Sequence, residues 1–245
     1  MRLRVRADDG IRDFRPGQYF AIGLHVDGQL IQRPHSTASP PGEAGDLEFL
    51  VRLVPGGSLT PSLWRLRPGD RVRIGPPKGL FGLDPADPRR HVFLSTGTGI
   101  APFLSMLGSL LGRAQASTAG RDQAGPPIVV HGVATAPELA YRDRLERLAR
   151  DGAIVYVPAI SRPADRANRG WRGDTGRLDT LVGAIAERTS LAPATTVAYL
   201  CGNPAMIAAV EPRLAALGLP ADAIRAEKYW TPADDRPAGE SARAD

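Results

Sequence analysis

Cysteine occurs once in the 245 residues, at Cys201. That excludes a disulfide framework within the chain, and any zinc or iron–sulfur site ligated by its own cysteines. One thiol fits a reducing compartment, so the expected location is the cytoplasm. No stretch reaches the ~18 apolar residues that a transmembrane helix needs. The opening Met-Arg-Leu-Arg-Val-Arg alternates charge with aliphatic residues where a signal peptide would carry an apolar core. The four histidines (His25, His35, His91 and His131) show no metal-ligand spacing. G-x-S-x-G, a P-loop and internal repeats are all missing, and nothing points to nucleic acid.

What is present is an ordinary globular composition, 42% hydrophobic and 23% charged. The net charge is +5. Residues 231–245 carry −2, which leaves +7 on residues 1–230. A basic body suits an acidic partner or a phosphate-bearing ligand, and it also suits an unremarkable surface.

The first third reads as short strands, at 2–6, 18–26, 29–33, 47–53 and 70–74. Turn signals separate them: Asp27-Gly28, Pro40-Pro41-Gly42, Gly56-Gly57 and Pro68-Gly69-Asp70. Such punctuation predicts an antiparallel barrel or sandwich. Residues 84–90 read as a linker. Beyond it, strands at 91–95, 128–131, 154–157, 196–200 and 223–230 alternate with helices at 101–112, 137–150, 178–188 and 204–217. Alternation of this kind predicts a parallel sheet with helices on both faces and ligands at the carboxyl ends of its strands. Segment 113–127 reads as a loop, and the tail after Trp230 as loosely ordered.

Several runs could carry chemistry. Ser95-Thr96-Gly97-Thr98-Gly99-Ile100-Ala101-Pro102-Phe103 follows a strand and opens a helix, a place where amides and the helix dipole favour a phosphate. It is shorter than G-x-G-x-x-G and also suits a plain tight turn. Leu200-Cys201-Gly202-Asn203-Pro204-Ala205-Met206 ends another strand; its thiol could face a ligand or, as is more usual for a lone cysteine, be buried structure. Arg33-Pro34-His35-Ser36-Thr37 puts hydroxyls beside a cation, which suits a diphosphate or a heterocycle, or a polar turn. In Gly57-Ser58-Leu59-Thr60-Pro61 the spacing predicts a short helix with Thr60 as N-cap and Pro61 behind it. Ser161-Arg162 and Gly176-Arg177 supply the cations that an adenosine 2′-phosphate needs. The charged run 138–147 reads as a solvated helix face.

Taken in order, Arg-x-x-Ser, Gly-x-x-Thr-Pro, Gly-Thr-Gly-Ile-Ala-Pro-Phe, Ser-Arg, Gly-Arg, Cys-Gly-Asn-Pro-x-Met and Ala-Glu-x-Tyr-Trp, these runs resemble the bacterial-type ferredoxin/flavodoxin–NADP⁺ reductases over about residues 1–230. The resemblance implies two domains: an FAD-binding antiparallel β-barrel of Greek-key type at 1–88 and an NADP(H)-binding α/β parallel-sheet domain at 89–230, followed by a tail at 231–245. It implies a flavoenzyme that moves a hydride between NADP(H) and FAD and single electrons to or from an acidic carrier, ferredoxin or flavodoxin. The molecule is expected as a monomer. FAD contacts are implied for Arg33, His35, Ser36, Thr37, Leu50, Ser58, Leu59, Thr60, Thr98, Lys228, Tyr229 and Trp230. NADP contacts are implied for Gly97, Thr98, Ser161, Arg162, Arg177, Cys201, Gly202 and Met206. Ser36 and Cys201 are implied nearest the transfer, as positioning groups rather than acids or bases.

The sequence also departs from the family pattern. His35 stands where the family usually has tyrosine, and Ala134 where it often has arginine. The chain starts about where the family's second barrel strand lies, so the first strand is expected to be missing. Two alternatives share the fold: a reductase component that feeds an oxygenase through a separate carrier, and a catalytically weak flavin- or nucleotide-binding regulator.

Overall fold

The computed structural model describes residues 1–8, 10, 13–42, 46–84, 86–116 and 125–229, with backbone only at 113–116. Four strands open the chain: β1 Arg2–Arg6, β2 Tyr19–Val26, β3 Gln29–Ser36 and β4 Asp46–Leu50. A one-turn helix, α1 Thr60–Leu63, and the two-residue strand β5 Arg73–Ile74 complete this part. β1 pairs antiparallel with β4, and a second sheet runs in the order β3-β2-β5. The bridge Thr37↔Phe49 ties the two sheets together, and Tyr19↔Lys78 extends the β5 side of the second. Asp27 and Gly28 turn the β2–β3 hairpin with φ of 50° and 77°, the left-handed pair that a two-residue hairpin requires.

β3 runs three residues beyond the expected 29–33, straight through Pro34. It can do so because it is an edge strand, where a missing N–H is tolerated. Its extension carries Ser36 into register opposite Tyr19. Phe20, Ile22, Leu47, Phe49, Val51, Leu59 and Leu63 fill the space between the sheets.

The second part alternates as expected: β6 Arg90–Thr96, α2 Ile100–Ala116, β7 Ile128–Val133, α3 Arg142–Arg150 and β8 Val155–Ile160. There follow β9 Asp174–Thr175, α4 Leu178–Arg188, β10 Thr196–Gly202, α5 Pro204–Ala216 and β11 Ile224–Lys228. The six strands form one parallel sheet, ordered β11-β10-β6-β7-β8-β9. β7 and β10 are buried along their whole length, as strands covered on both faces must be. Phe93, Val129, Val197 and Tyr199 face α2 and α3, while Val92, Leu94, Val130 and Leu200 face α4 and α5. Among the described residues no helix is long and apolar enough to cross a membrane.

Three local expectations fail. The helix expected at 137–150 is broken: a 3₁₀ turn at Ala136–Glu138 precedes Tyr141, whose φ of 60° interrupts the helix before α3 begins. Thr60 does not cap α1. Its hydroxyl accepts from the Val54 amide at 3.0 Å and donates to the Val54 carbonyl at 3.3 Å, so it closes the preceding turn, and the N-cap position falls to Leu59. Residues 113–116, expected in a loop, continue α2, whereas 117–124 and the tail lie outside the described residues.

The chain enters the parallel sheet at β6, builds outward to β9, then returns to add β10 and β11 on the other side. Strand order therefore reverses between β6 and β10, the place where open α/β sheets bind ligands. One apolar cluster at this end joins Ala38, Phe81 and Leu83 of the first part to Phe103, Met106 and Cys201 of the second. The carboxyl ends of β6 and β10 thus lie beside the strand that carries Ser36.

Candidate functional site

β6 ends in a 3₁₀ turn, Gly97–Gly99, that leads directly into α2. Gly97 has a φ of 55° and open space where a Cβ would stand. A ligand can approach its backbone there, over the positive end of a long helix. Gly99 is different. A Cβ on it would lie 2.3 Å from the Cys201 carbonyl oxygen, so the two strand ends touch through backbone. Across the reversal point Asn203 caps α5, its Oδ1 accepting from the Ala205 amide at 2.8 Å, while its own amide donates to Thr96 Oγ1 at 3.0 Å. The two turns are therefore bonded to each other.

Four side chains meet beside this junction. Register places Cys201 opposite Glu227 on β11, and the Tyr229 amide extends that pairing to the Gly202 carbonyl at 2.9 Å. The Tyr229 hydroxyl donates to Ser36 Oγ at 3.0 Å, and Ser36 donates to Glu227 Oε2 at 3.4 Å. Tyr229 also packs against the apolar cluster that contains Cys201. A continuous chain thus runs from Tyr229 through Ser36 to Glu227, with Cys201 packed beside it, and Ser36 brings it across from the first part of the molecule.

Burial sets the protonation of each member. It pushes the Glu227 carboxyl up to about 7, with the Ser36 hydrogen bond opposing. It raises Tyr229 and Cys201 well above their ordinary values, so both keep their protons at neutral pH. Cys201, fully buried, is therefore no nucleophile. Glu227 was missed by the sequence reading although it stands inside the Ala-Glu-x-Tyr-Trp run. The available signal was strand period two, which puts residues 227 and 229 on one face.

A second group lies on the barrel side. The Arg33 Nη2 donates to Ser58 Oγ at 2.9 Å and Nη1 to the Gln32 carbonyl at 2.8 Å. The amides of Ser58, Leu59 and Thr60 find no acceptor among the described residues. A guanidinium, a hydroxyl and open amides together fit a diphosphate. His35 shares its Nδ1 proton with the Arg33 carbonyl at 3.0 Å, and burial lowers its pKa, so a neutral ring presents Nε2. Three predicted residues spend their side chains within the protein. Thr37 bonds Ser39 Oγ at 2.9 Å and the Glu48 carbonyl at 3.2 Å, Leu59 is core, and Met206 packs under α5. Only their backbone could meet a ligand. Leu50 is half-buried, Thr98 is half-buried in the 97–99 turn, and Lys228 is exposed. Trp230 lies outside the described residues.

The cations form a third group. Parallel pairing of Ile160 with Thr175 carries Ser161-Arg162 and Gly176-Arg177 out of the same sheet edge, side by side. Buried Asn168 holds this edge, donating to the Arg162 carbonyl at 2.7 Å and the Ala134 carbonyl at 3.3 Å and accepting from the Ala136 amide at 2.7 Å. Arg162 makes no ion pair with the described residues, and Arg177 pairs with Asp179 at 3.1 Å in an exposed setting.

His131 is a further residue that the sequence reading passed over. It is fully buried on β7, and its Nε2–H donates to the Gly97 carbonyl at 2.9 Å, which aims the 97–99 turn. Burial, opposed by that bond, lowers its pKa from 6.5 to about 4. The unfolded chain therefore binds more protons between those values. The stabilising contribution is complete above pH 6.5 and is lost as pH falls toward 4. Urea titrations at pH 7 and 4.5 should show His131 accounting for about 2 kcal/mol of the loss, a share absent from His131→Asn.

Comparison with known proteins places these groups in context. The oxidoreductase FAD-binding domain family matches residues 1–82, and the oxidoreductase NAD-binding domain family matches residues 93–212. A ferredoxin–NADP reductase of Pseudomonas aeruginosa is 34% identical over 228 residues, covering 89% of this chain and 84% of that protein. The reductase component of a propane 2-monooxygenase from Mycolicibacterium goodii is 29% identical, over 96% of this chain and 64% of its own length. A solved ferredoxin NADP⁺ reductase from Neisseria gonorrhoeae, with FAD and NADP bound, superposes with a TM-score of 0.76 at 25% identity, covering 93% of this chain and 91% of that one.

Proposed function

The chain belongs to the ferredoxin–NADP reductase family of FAD- and NADP(H)-binding oxidoreductases, and on that premise we propose how its own residues divide the work. When bound, FAD supplies the conversion between a hydride exchanged with NADP(H) and single electrons exchanged with a carrier. Arg33, the Ser58 hydroxyl and the amides of Ser58, Leu59 and Thr60 hold the FAD diphosphate. His35, Ser36, Leu50, the Thr37 backbone, Thr98, Lys228 and Tyr229 would contact the flavin, and Trp230 is kept as a candidate on the sequence alone. Gly97 and Gly202 receive the nicotinamide and pyrophosphate, and Met206, its amide bonded to Asn203, orders the start of α5 beside them. Ser161, Arg162 and Arg177 take the 2′-phosphate. The junction between the two units lies near residue 88.

The observation that carries this reading is the hydrogen-bond chain Tyr229–Ser36–Glu227, with Cys201 beside it, at the meeting of the two parts. Cys201 and Ser36 act by position. Glu227 holds a proton at its carboxyl near neutrality and gives or takes it through Ser36. FAD-loaded protein should oxidise NADPH with ferricyanide as acceptor. Ser36→Ala breaks the chain at its centre. A hydrogen bond to a charged group is worth about 1.5–3 kcal/mol, so NADPH oxidation should fall about 10- to 100-fold while FAD stays bound. The pH profile of the wild type should bend near 7, and Glu227→Gln should remove that bend. A bend retained in the variant contradicts the assignment.

The carrier is an acidic protein. Leu80, fully exposed, stands beside Lys78 on a loop held by the Gln18 side chain, which donates to the Gly79 carbonyl at 3.2 Å. A Cβ on Gly79 would lie 3.9 Å from Glu227 Oε1, so this loop rims the site. An apolar knob with a cation beside it, on a body of net +7, suits an acidic electron carrier such as ferredoxin or flavodoxin. The likeness to an oxygenase reductase component favours one second reading, the same chemistry serving an oxygenase through that carrier. Screening of acceptors separates the two.

A further inference from the structure

Tyr141 holds a left-handed backbone, φ 60° and ψ 16°, at the residue where the helix expected at 137–150 breaks. Side chains avoid that region unless surroundings compel it. The compelling contact crosses the molecule: the Tyr141 hydroxyl donates to Glu48 Oε1 on β4. Arg2 stacks over the Tyr141 ring at 5.5 Å, and Arg4 approaches the other Glu48 oxygen at 3.6 Å. Burial and this bond raise the phenol above its ordinary value, so it remains a donor at neutral pH.

Glu48 is also tied to the strand segment of the site. Its carbonyl accepts from the Ala38 amide at 2.7 Å and from Thr37 Oγ1 at 3.2 Å, two and one residues beyond Ser36. On the other side, Tyr141 packs on the cluster that contains Cys201, and its carbonyl accepts the Leu145 amide at 3.0 Å at the start of α3. Apart from the Ser36 bonds to Tyr229 and Glu227, the contact between the parts is largely apolar: Ala38, Phe81 and Leu83 against α2, with Pro40 lying 2.9 Å from where a Gly108 Cβ would stand. Apolar contact is non-directional and permits sliding, whereas a hydrogen bond fixes an angle.

We propose that the Tyr141–Glu48 hydrogen bond is a pin that sets the register of the NADP(H)-binding part against the FAD-binding part, making both positioning residues for hydride transfer. The inference rests on the reading under Proposed function. Hydride transfer needs the reacting atoms within about 3–3.5 Å, and displacement by about 1 Å costs on the order of 10²-fold. A loosened pin need not unfold anything to be felt.

The test uses FAD-loaded full-length protein mixed anaerobically with NADPH. Tyr141→Phe and Glu48→Ala should each slow flavin reduction about tenfold, and weaken the long-wavelength absorbance of nicotinamide stacked on flavin. FAD content and thermal midpoint should stay near wild type. Glu48→Gln keeps an acceptor and should recover most of the rate, and the double variant should be no slower than either single one. Wild-type rate and absorbance in Tyr141→Phe overturn the proposal, as does a loss that follows FAD content with no recovery in Glu48→Gln. Hydrogen exchange at the amides of 37–39 and 142–146 gives a readout independent of chemistry. Protection there should fall in Tyr141→Phe even if NADPH reduces no flavin, an outcome that would sink the functional reading alone. Unchanged protection sinks the pin.

Discussion

Gly99→Ala should nearly abolish reduction of bound FAD by NADPH. The added Cβ would stand 2.3 Å from the Cys201 oxygen and 2.6 Å from its carbonyl carbon. Neither atom can yield cheaply, because β6 and β10 are in register through Ser95↔Cys201 and both are buried. The 97–99 turn must back away, and Cys201 or the start of α2 must move with it. Overpacking of this kind costs about 1–3 kcal/mol of stability. The larger effect is on rate, because a shift of about 1 Å at the reacting atoms costs on the order of 10²-fold. Gly112→Ala supplies the control: it lies on α2, a Cβ there meets nothing within 4 Å, and the helix should gain about 1 kcal/mol at unchanged activity. Single-turnover reduction and thermal unfolding of both variants decide the matter. Gly99→Ala reducing flavin at the wild-type rate would mean that the junction of the β6 and β10 ends is not where the coenzyme meets the flavin.

Arg162→Ala and Arg177→Ala should each raise the KM for NADPH about 10- to 100-fold and leave that for NADH nearly unchanged. The two cations leave adjacent strand ends, and a charged hydrogen bond to phosphate is worth about 1.5–3 kcal/mol. Ala134 offers no third cation at this edge, so the double variant should lose most of the preference for NADPH. The exposed Arg177–Asp179 pair is a weak competitor for the phosphate, since surface ion pairs contribute about 0–1 kcal/mol. Equal losses with both coenzymes would remove these arginines from the 2′-phosphate site.

The β2–β3 hairpin was legible because Asp27-Gly28 carries its own backbone preference, and α5 because Asn203-Pro204 is a cap followed by a residue suited to the first turn. The parallel sheet was legible because continuous apolar runs such as Ile128-Val129-Val130 bury on both faces. The break before α3 was not legible. Locally, Glu138 to Arg150 is good helix, and what interrupts it is a carboxylate on β4 more than ninety residues earlier. Thr60 misled for a related reason: its position favours an N-cap, but the Val54 peptide, brought close by the preceding turn, takes the hydroxyl instead.

Local chemistry therefore determined the identity of the two units, the order of their turns, and most of the groups fit to meet a phosphate or a ring. It did so because caps, hairpin pairs and strand patterns act over a few residues. Only the tertiary structure decided that Ser36 would bond Tyr229 and Glu227, that Glu227 would titrate near neutrality, that His131 would aim a turn, and that Tyr141 would reach Glu48. Each of these depends on burial or on a contact between distant segments, and a carboxylate in water and one enclosed between two sheets are spelled with the same letter.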